Sequence, residues 1–280
     1  MSNLPRHSLL GALLLASLLN GAALAAEKPL WEFGLGASAL SLPDYRGSNH
    51  DGYYALPFPY LVYRGEFLKA DRNGIRGTFF DNDRVELNVS VGASLPVSSD
   101  KSPARLGMPD LQPTVEIGPS LDLNLWRTPD RGTRLDVRLP VRSVITVNGG
   151  MQDIGWVFTP RVNLDVADVA GLPSWNLGML AGPMYGSRRY HQYFYSVPSQ
   201  YATATRPAFE ARQGYAGTQF LMALSKRYPK YWLGAFVRWD TLKGATFEDS
   251  PLVSRNHYLA AGVGISWILG ESSTRVQADE

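Results

Sequence analysis

The chain has no cysteine, which excludes disulfide staples and thiolate chemistry. Beyond its first residues it has no run approaching 18 consecutive apolar residues, so no α-helix of it crosses a bilayer. Histidine is scarce at four in 280 residues, and neither a G-x-S-x-G nucleophile elbow nor an H-E-x-x-H zinc helix occurs. Those absences leave no catalytic or zinc-binding spacing, and the chain reads as a non-enzyme. A surplus of one charge is missing too. The 27 basic and 25 acidic residues give a net +2, no electrostatic case for a nucleic acid partner.

What is present begins with a leader. Arg6 precedes a leucine-rich run from Leu9 to Leu19, and Ala23-Leu24-Ala25 fits an A-x-A cleavage site. The apolar core is too short to anchor the protein, so residues 1–25 read as a cleaved secretory signal peptide. The mature chain then starts near Ala26 with 26 basic and 25 acidic residues.

Behind the leader, short segments alternate apolar with polar residues. In Val85-Glu86-Leu87-Asn88-Val89-Ser90-Val91-Gly92-Ala93-Ser94-Leu95 every odd position is apolar. Successive strand side chains point to opposite faces, so each such segment has one apolar and one polar face. The spacing predicts strands at 31–40, 53–63, 66–71, 75–80, 84–95, 113–126, 133–146, 153–166, 174–186, 214–227, 231–242 and 257–269. Pro57 and Pro59 predict a bulge or an unpaired stretch in the second, and Asn73-Gly74 a hairpin turn between the third and fourth. A secreted β-sandwich alternates in the same way. Strand length, apolar faces running nearly end to end, and alternating short and long connections favour the other solution, an antiparallel transmembrane β-barrel in a bacterial outer membrane. Twelve strands are expected, ten if 66–80 is irregular. The barrel would occupy 26–270, followed by a polar tail at 271–280. Twelve strands place the long connections 42–52, 96–112, 147–152, 187–213 and 243–256 on the outer side.

Two groups of residues stand out. On the inward parity of the middle strands lie Glu116, Asp122, Arg134, Asp136, Arg138, Arg142, Arg161 and Asp165. Hairpin registers set Asp122 opposite Arg138 and Arg134 opposite Asp165. Such a set is either a salt-bridge network filling a narrow lumen or a charged constriction that selects permeants. The second group is Arg188, Arg189, Tyr190, Tyr193, Phe194 and Tyr195 in the longest outer loop. There, aromatics beside arginine form either a contact surface or packing onto the barrel rim. His50, His191 and His257 read as surface-loop residues. The seven tryptophans, Trp232 among them, read as interfacial girdle residues. Trp126 has inward parity, so its place in the girdle requires a bulge or a strand that ends at Leu125.

Several motifs resemble the MipA/OmpV family of outer-membrane proteins. They are Pro57-Phe58-Pro59-Tyr60-Leu61-Val62-Tyr63, Gly107-Met108-Pro109-Asp110-Leu111, Glu116-Ile117-Gly118-Pro119, Gly182-Pro183-Met184-Tyr185-Gly186 and Tyr193-Phe194-Tyr195-Ser196-Val197. Arg206-Pro207-Ala208-Phe209, Gly214-Tyr215-Ala216-Gly217 and Asp249-Ser250-Pro251-Leu252-Val253 extend the ordered set over nearly the whole mature chain. The resemblance implies an outer-membrane barrel in contact with lipid. It also implies a scaffold that joins a lytic murein transglycosylase to a peptidoglycan synthase. Other members are porin-like or adhesins, which leaves a small-solute channel and surface adhesion through 187–213 as alternatives. The resemblance carries no cofactor and no catalytic residues. The chain ends in polar residues, so its assembly signal is expected inside the last strand, at Gly262, Ile265, Trp267 and Leu269.

Overall fold

The structure is a computed structural model that describes residues 27–65, 68–71, 74–82, 84–130, 132–148 and 150–277. The leader and Asn73 of the expected hairpin turn lie outside the described residues. In chain order the strands are β1 (Glu27–Pro29), β2 (Trp31–Pro43), β3 (Asp51–Arg64), β4 (Leu68–Asp71), β5 (Gly74–Asp81), β6 (Val85–Ser94), β7 (Thr114–Arg127) and β8 (Thr133–Thr146). There follow β9 (Gln152–Phe158), β10 (Arg161–Val166), β11 (Trp175–Gly186), the helix α1 (Arg188–Tyr195), β12 (Gly214–Arg227), β13 (Tyr231–Thr241), β14 (His257–Glu271) and β15 (Arg275–Gln277).

Every neighbouring pair is antiparallel. β14 pairs with β2, and the ladder runs from β2 through β8 in chain order. β9 and β10 each pair with both β8 and β11, so together they are one strand interrupted at Thr159-Pro160. Proline lacks the ladder donor, which accounts for the gap. Counted this way the sheet closes on itself with twelve strands. β1 and β15 form a separate two-stranded pair beside the ring, so the segment expected as a polar tail contains a short paired strand.

The alternation sorts side chains as a barrel wall requires. Phe33, Leu35, Val115, Ile117, Val162, Leu259, Val263 and Leu269 are exposed on the outer face. Their strand neighbours Glu32, Asn88, Ser120, Asp136 and Asn163 are buried within. At Trp126 the β7–β8 register shifts, and the resulting bulge leaves Leu125 (57%) and Trp126 (52%) both exposed.

Pro57 and Pro59 produce no bulge. β3 pairs with β2 in unbroken register from Trp31↔Tyr63 to Pro43↔Asp51. The unpaired stretch lies on the other edge of β3, where, among the described residues, β4 contributes two residue pairs. Trp232 is not a girdle residue. Its strand exposes Ala235, Val237 and Trp239, so Trp232 has inward parity and packs 6.2 Å from Tyr60. The lumen wall of β13, β14, β2 and β3 is thus aromatic over glycine. A Cβ on Gly36 would meet the Phe58 ring at 2.5 Å, so only glycine lets that ring lie against the sheet.

Candidate functional site

Two features of the barrel interior carry chemistry: a charged wall along β6, β7, β8 and β10, and a folded cover at the outer end. In the wall, Asp122 lies opposite Arg138 and Asp165 opposite Arg134 in the ladder. Arg142 donates to Glu116 at 2.8 Å, to Ser90 at 3.2 Å and to Thr159 at 3.3 Å. Arg138 donates to Asp136 at 3.1 Å and lies 3.7 Å from Asp122 and 3.8 Å from Asp165. Arg134 approaches Asp136 at 3.0 Å and Asp165 at 3.4 Å. Asp122 also accepts from Ser120 at 2.5 Å and Asn88 at 3.1 Å. The structure therefore gathers the eight charged positions along one side of the lumen and links seven of them by ion pairs. Arg161, the eighth, makes none among the described residues. Toward the short-turn end, buried Glu32 bridges Arg64 at 3.1 Å and Arg227 at 2.8 Å.

The outer cover is built from the long connections. Tyr45 (between β2 and β3), Val97, Met108 and Leu111 (between β6 and β7), Tyr195, Val197 and Ala211 (between β11 and β12), and Leu242, Phe247 and Leu252 (between β13 and β14) share one apolar core. These connections start from opposite sides of the ring, so a core common to them must cross the barrel mouth. Hydrogen bonds cross it as well. Arg206 donates to the carbonyls of Ala104 at 3.1 Å and Leu106 at 2.9 Å, and Gln112 N donates to the Tyr193 hydroxyl at 2.7 Å. Phe247 is fully buried and stacks on Tyr195 with ring centroids 3.6 Å apart.

Helix α1 closes one side of this cover. Ser187 caps it by accepting from Tyr190 N, and the same hydroxyl accepts from Trp156 N at 3.1 Å. Gly155 lies at a register shift of the β8–β9 ladder with φ +114°, and a Cβ there would come 2.1 Å from the Ser187 hydroxyl. Glycine is thus required both by the backbone and by the helix seated on it.

Of the two readings of this loop, the helix favours packing onto the barrel rim over a contact surface. Tyr190 and Tyr195 are buried, Tyr193 and Phe194 are half-buried, and only Arg188 and Arg189 stand exposed. The aromatic spacing places these rings against the barrel mouth rather than toward a partner. Arg189 reaches Asp153 at 3.2 Å. Nor is His191 a surface residue: it is fully buried, its Nδ1 against the Arg212 carbonyl at 2.5 Å. Its Nε2 has no hydrogen-bond partner. Burial holds the imidazole below its usual range, with Arg46 adding to the effect and the Arg212 carbonyl opposing it. His50 pairs with Asp44 at 3.1 Å, and His257 stacks on Trp239.

Arg46 is the residue that sequence reasoning missed. From the first outer loop it donates to Tyr258 at 3.0 Å, to the Ala216 carbonyl at 2.8 Å and to Asp240 at 3.3 Å. Its own carbonyl accepts from Tyr195 at 3.1 Å. Burial alone would lower the guanidinium, but the Tyr258 hydroxyl and the Asp240 carboxylate hold it above its usual range. Burial likewise pushes the Tyr45 phenol up to about 12, against the pull of Arg105. The signal available in the sequence was the pair of core-type residues Phe247 and Leu252 inside a loop that ought to be polar. Among the described residues no three His, Asp or Glu side chains converge as metal ligands.

Residues 35–269 match the family described as MltA-interacting protein MipA. The chain is 24% identical over 211 residues to outer membrane protein OmpV of Vibrio cholerae, covering 73% of this chain and 75% of that protein. It is 22% identical to outer membrane protein Omp26La of Vibrio anguillarum over the same shares. Among solved structures it resembles the NanC porin at 8% identity and a TM-score of 0.38, over 86% of this chain and 99% of that one. It resembles a bacterial polysaccharide outer membrane secretin at 9% identity and a TM-score of 0.41, over the same shares. Both likenesses are too distant to carry an argument; the strand pairing establishes the barrel by itself. The chain, a twelve-stranded outer-membrane β-barrel, belongs to the MltA-interacting protein MipA family.

Proposed function

We propose that the protein is a capped, non-enzymatic barrel whose work is to hold partners in the envelope: a docking scaffold for a murein transglycosylase and a peptidoglycan synthase. The observation that carries this reading is the cover. Four outer connections share one core across the mouth, which weighs against a permanently open channel. The burial of Tyr190 and Tyr195 takes the aromatic surface away from an adhesin. The transglycosylase enters from the family description, MltA-interacting.

In single-chain barrels the short turns face the periplasm. On this side the longest of the described turns is 167–174, between β10 and β11. Asp168, Ala170 and Ser174, the non-glycine residues with positive φ among those described, all lie in it, and Leu172 is 53% exposed there. Sparsely populated backbone conformations concentrate at contact sites. The test is affinity capture from detergent-solubilised envelopes with the mature barrel as bait. Enrichment of a lytic transglycosylase and a peptidoglycan synthase over a control barrel, lost when 167–174 is replaced by a short Asn-Gly turn, supports the scaffold. Failure to enrich either enzyme after mild crosslinking, together with steady conductance in planar bilayers, overturns it.

A further inference from the structure

The seven paired charges of the lumen wall leave one cation over. Arg161 faces the lumen from β10, yet among the described residues it has no ion-pair or hydrogen-bond partner, and its Nε is buried. Its partner directly across the ladder is Arg138, a like charge in the position where opposite charges would stabilise the sheet. The charges that act on it are Arg138 and Arg142, which repel it, and Asp122, which attracts it. Asp122 is already engaged by Ser120, Asn88 and Arg138. Two residues along the same strand, and so on the same face, Asn163 is buried with its side-chain amide nitrogen unpartnered.

Two neighbouring donors without acceptors cost free energy in the folded barrel. An unpaired guanidinium repelled by two more is the costlier. Nearby, Glu116 is engaged by Arg142, and Asp136 and Asp165 by Arg134 and Arg138. The chemistry that completes this arrangement is an anion with at least two acceptor oxygens, because a guanidinium binds planar or tetrahedral oxyanions through paired N–H bonds.

We infer that Arg161, flanked by Arg138 and Arg142 and seconded by Asn163, is the anchor of an oxyanion site inside the barrel, for the carboxylate or phosphate group of a small solute. The site is independent of scaffold activity.

The test is thermal unfolding of the purified full barrel in detergent at pH 7, in chloride, inorganic phosphate or succinate at matched ionic strength. A ligand that binds only the folded state raises the midpoint in a saturable way. Wild-type barrel is expected to show that rise in phosphate, in succinate or in both, and the stronger of the two identifies the group the site takes. Arg161→Gln should raise the half-saturating concentration at least tenfold, and Asn163→Leu should raise it less. Arg189→Gln, on the exposed outer surface, should leave it unchanged. In chloride, Arg161→Gln should unfold at the wild-type temperature or above it, since it removes a repulsion and no partner. A purely structural arginine gives the opposite result, a lower midpoint in chloride. That outcome, a wild-type response to both anions in Arg161→Gln, or no anion-dependent rise in wild type overturns the inference.

Discussion

Replacing Phe247 with alanine tests whether the outer cover is a cooperative unit distinct from the barrel. The ring is fully buried, stacks on Tyr195 at 3.6 Å and meets the His191 ring edge-on at 4.8 Å. Truncating a core phenylalanine to alanine costs about 3–5 kcal/mol, through lost burial and the cavity left behind. The whole of that loss falls on the cover, because Phe247 lies between β13 and β14 and its cluster consists mostly of loop residues. At about 1.4 kcal/mol per tenfold change, the opening equilibrium of the cover rises roughly 100- to 4,000-fold. Native-state hydrogen exchange reads this directly. The reporters are the amides of Val197, bonded to Phe209 O at 2.8 Å, and of Ser250, bonded to Phe247 O at 3.0 Å. Both should exchange faster by that factor, while amides of the β13–β14 ladder keep their wild-type protection. Unchanged exchange at Val197 and Ser250 would refute the claim that one core holds these loops. Equal loss of protection in the strands would refute the claim that cover and barrel open separately.

Three further substitutions or conditions probe the same architecture. Arg46→Met removes the cation that ties the first outer loop to Asp240, Tyr258 and the Ala216 carbonyl; it should destabilise the cover by about 3 kcal/mol, seen as faster proteolysis of the outer loops with the barrel intact. His191 is held neutral by burial, so its contribution is complete above the unfolded value of about 6.5 and is lost as pH falls below it. Cover amides, corrected for intrinsic exchange, should therefore open more readily at pH 5 than at pH 7 in the wild type, and His191→Phe should flatten that dependence. Gly155→Ala puts a Cβ at positive φ into the Ser187 hydroxyl; a loss above about 1 kcal/mol, measured by urea unfolding in detergent, is expected, and a neutral outcome would show that α1 is not seated there.

The ladder was legible in the sequence because a strand period of two leaves little freedom. Once Thr128 to Gly132 is read as a turn and 147–152 as a connection, alternation alone sets Asp122 against Arg138 and Arg134 against Asp165, as the pairing has them. The parity conflict at Trp126 even located its bulge. The cover was not legible. Tyr45, Val97, Tyr195 and Phe247 come from four loops without periodicity, and nothing in the chain order says that they meet. The same limit applies to His191, which the helix of one loop buries against Phe247 of another, whereas Tyr190 packs on Val144, Ile154 and Val157 of the barrel wall. For Pro57 and Pro59 the unpaired alternative holds and the bulge does not, since composition reveals a missing donor but not which edge of β3 faces the short neighbour.

The distribution of the cover over the ring also dictates an order of assembly. Its core draws on connections between β2 and β3, β6 and β7, β11 and β12, and β13 and β14, so contacts such as the Tyr45 hydroxyl to the Leu252 carbonyl span 207 residues of chain. Contacts of such sequence separation form late, after the entropy of the intervening loop has been overcome. Until β14 meets β2, the first and last contributors are held apart at the two free edges of an open sheet. The core is therefore complete only once the last seam has zipped, so a fully protected cover marks a barrel that has finished folding.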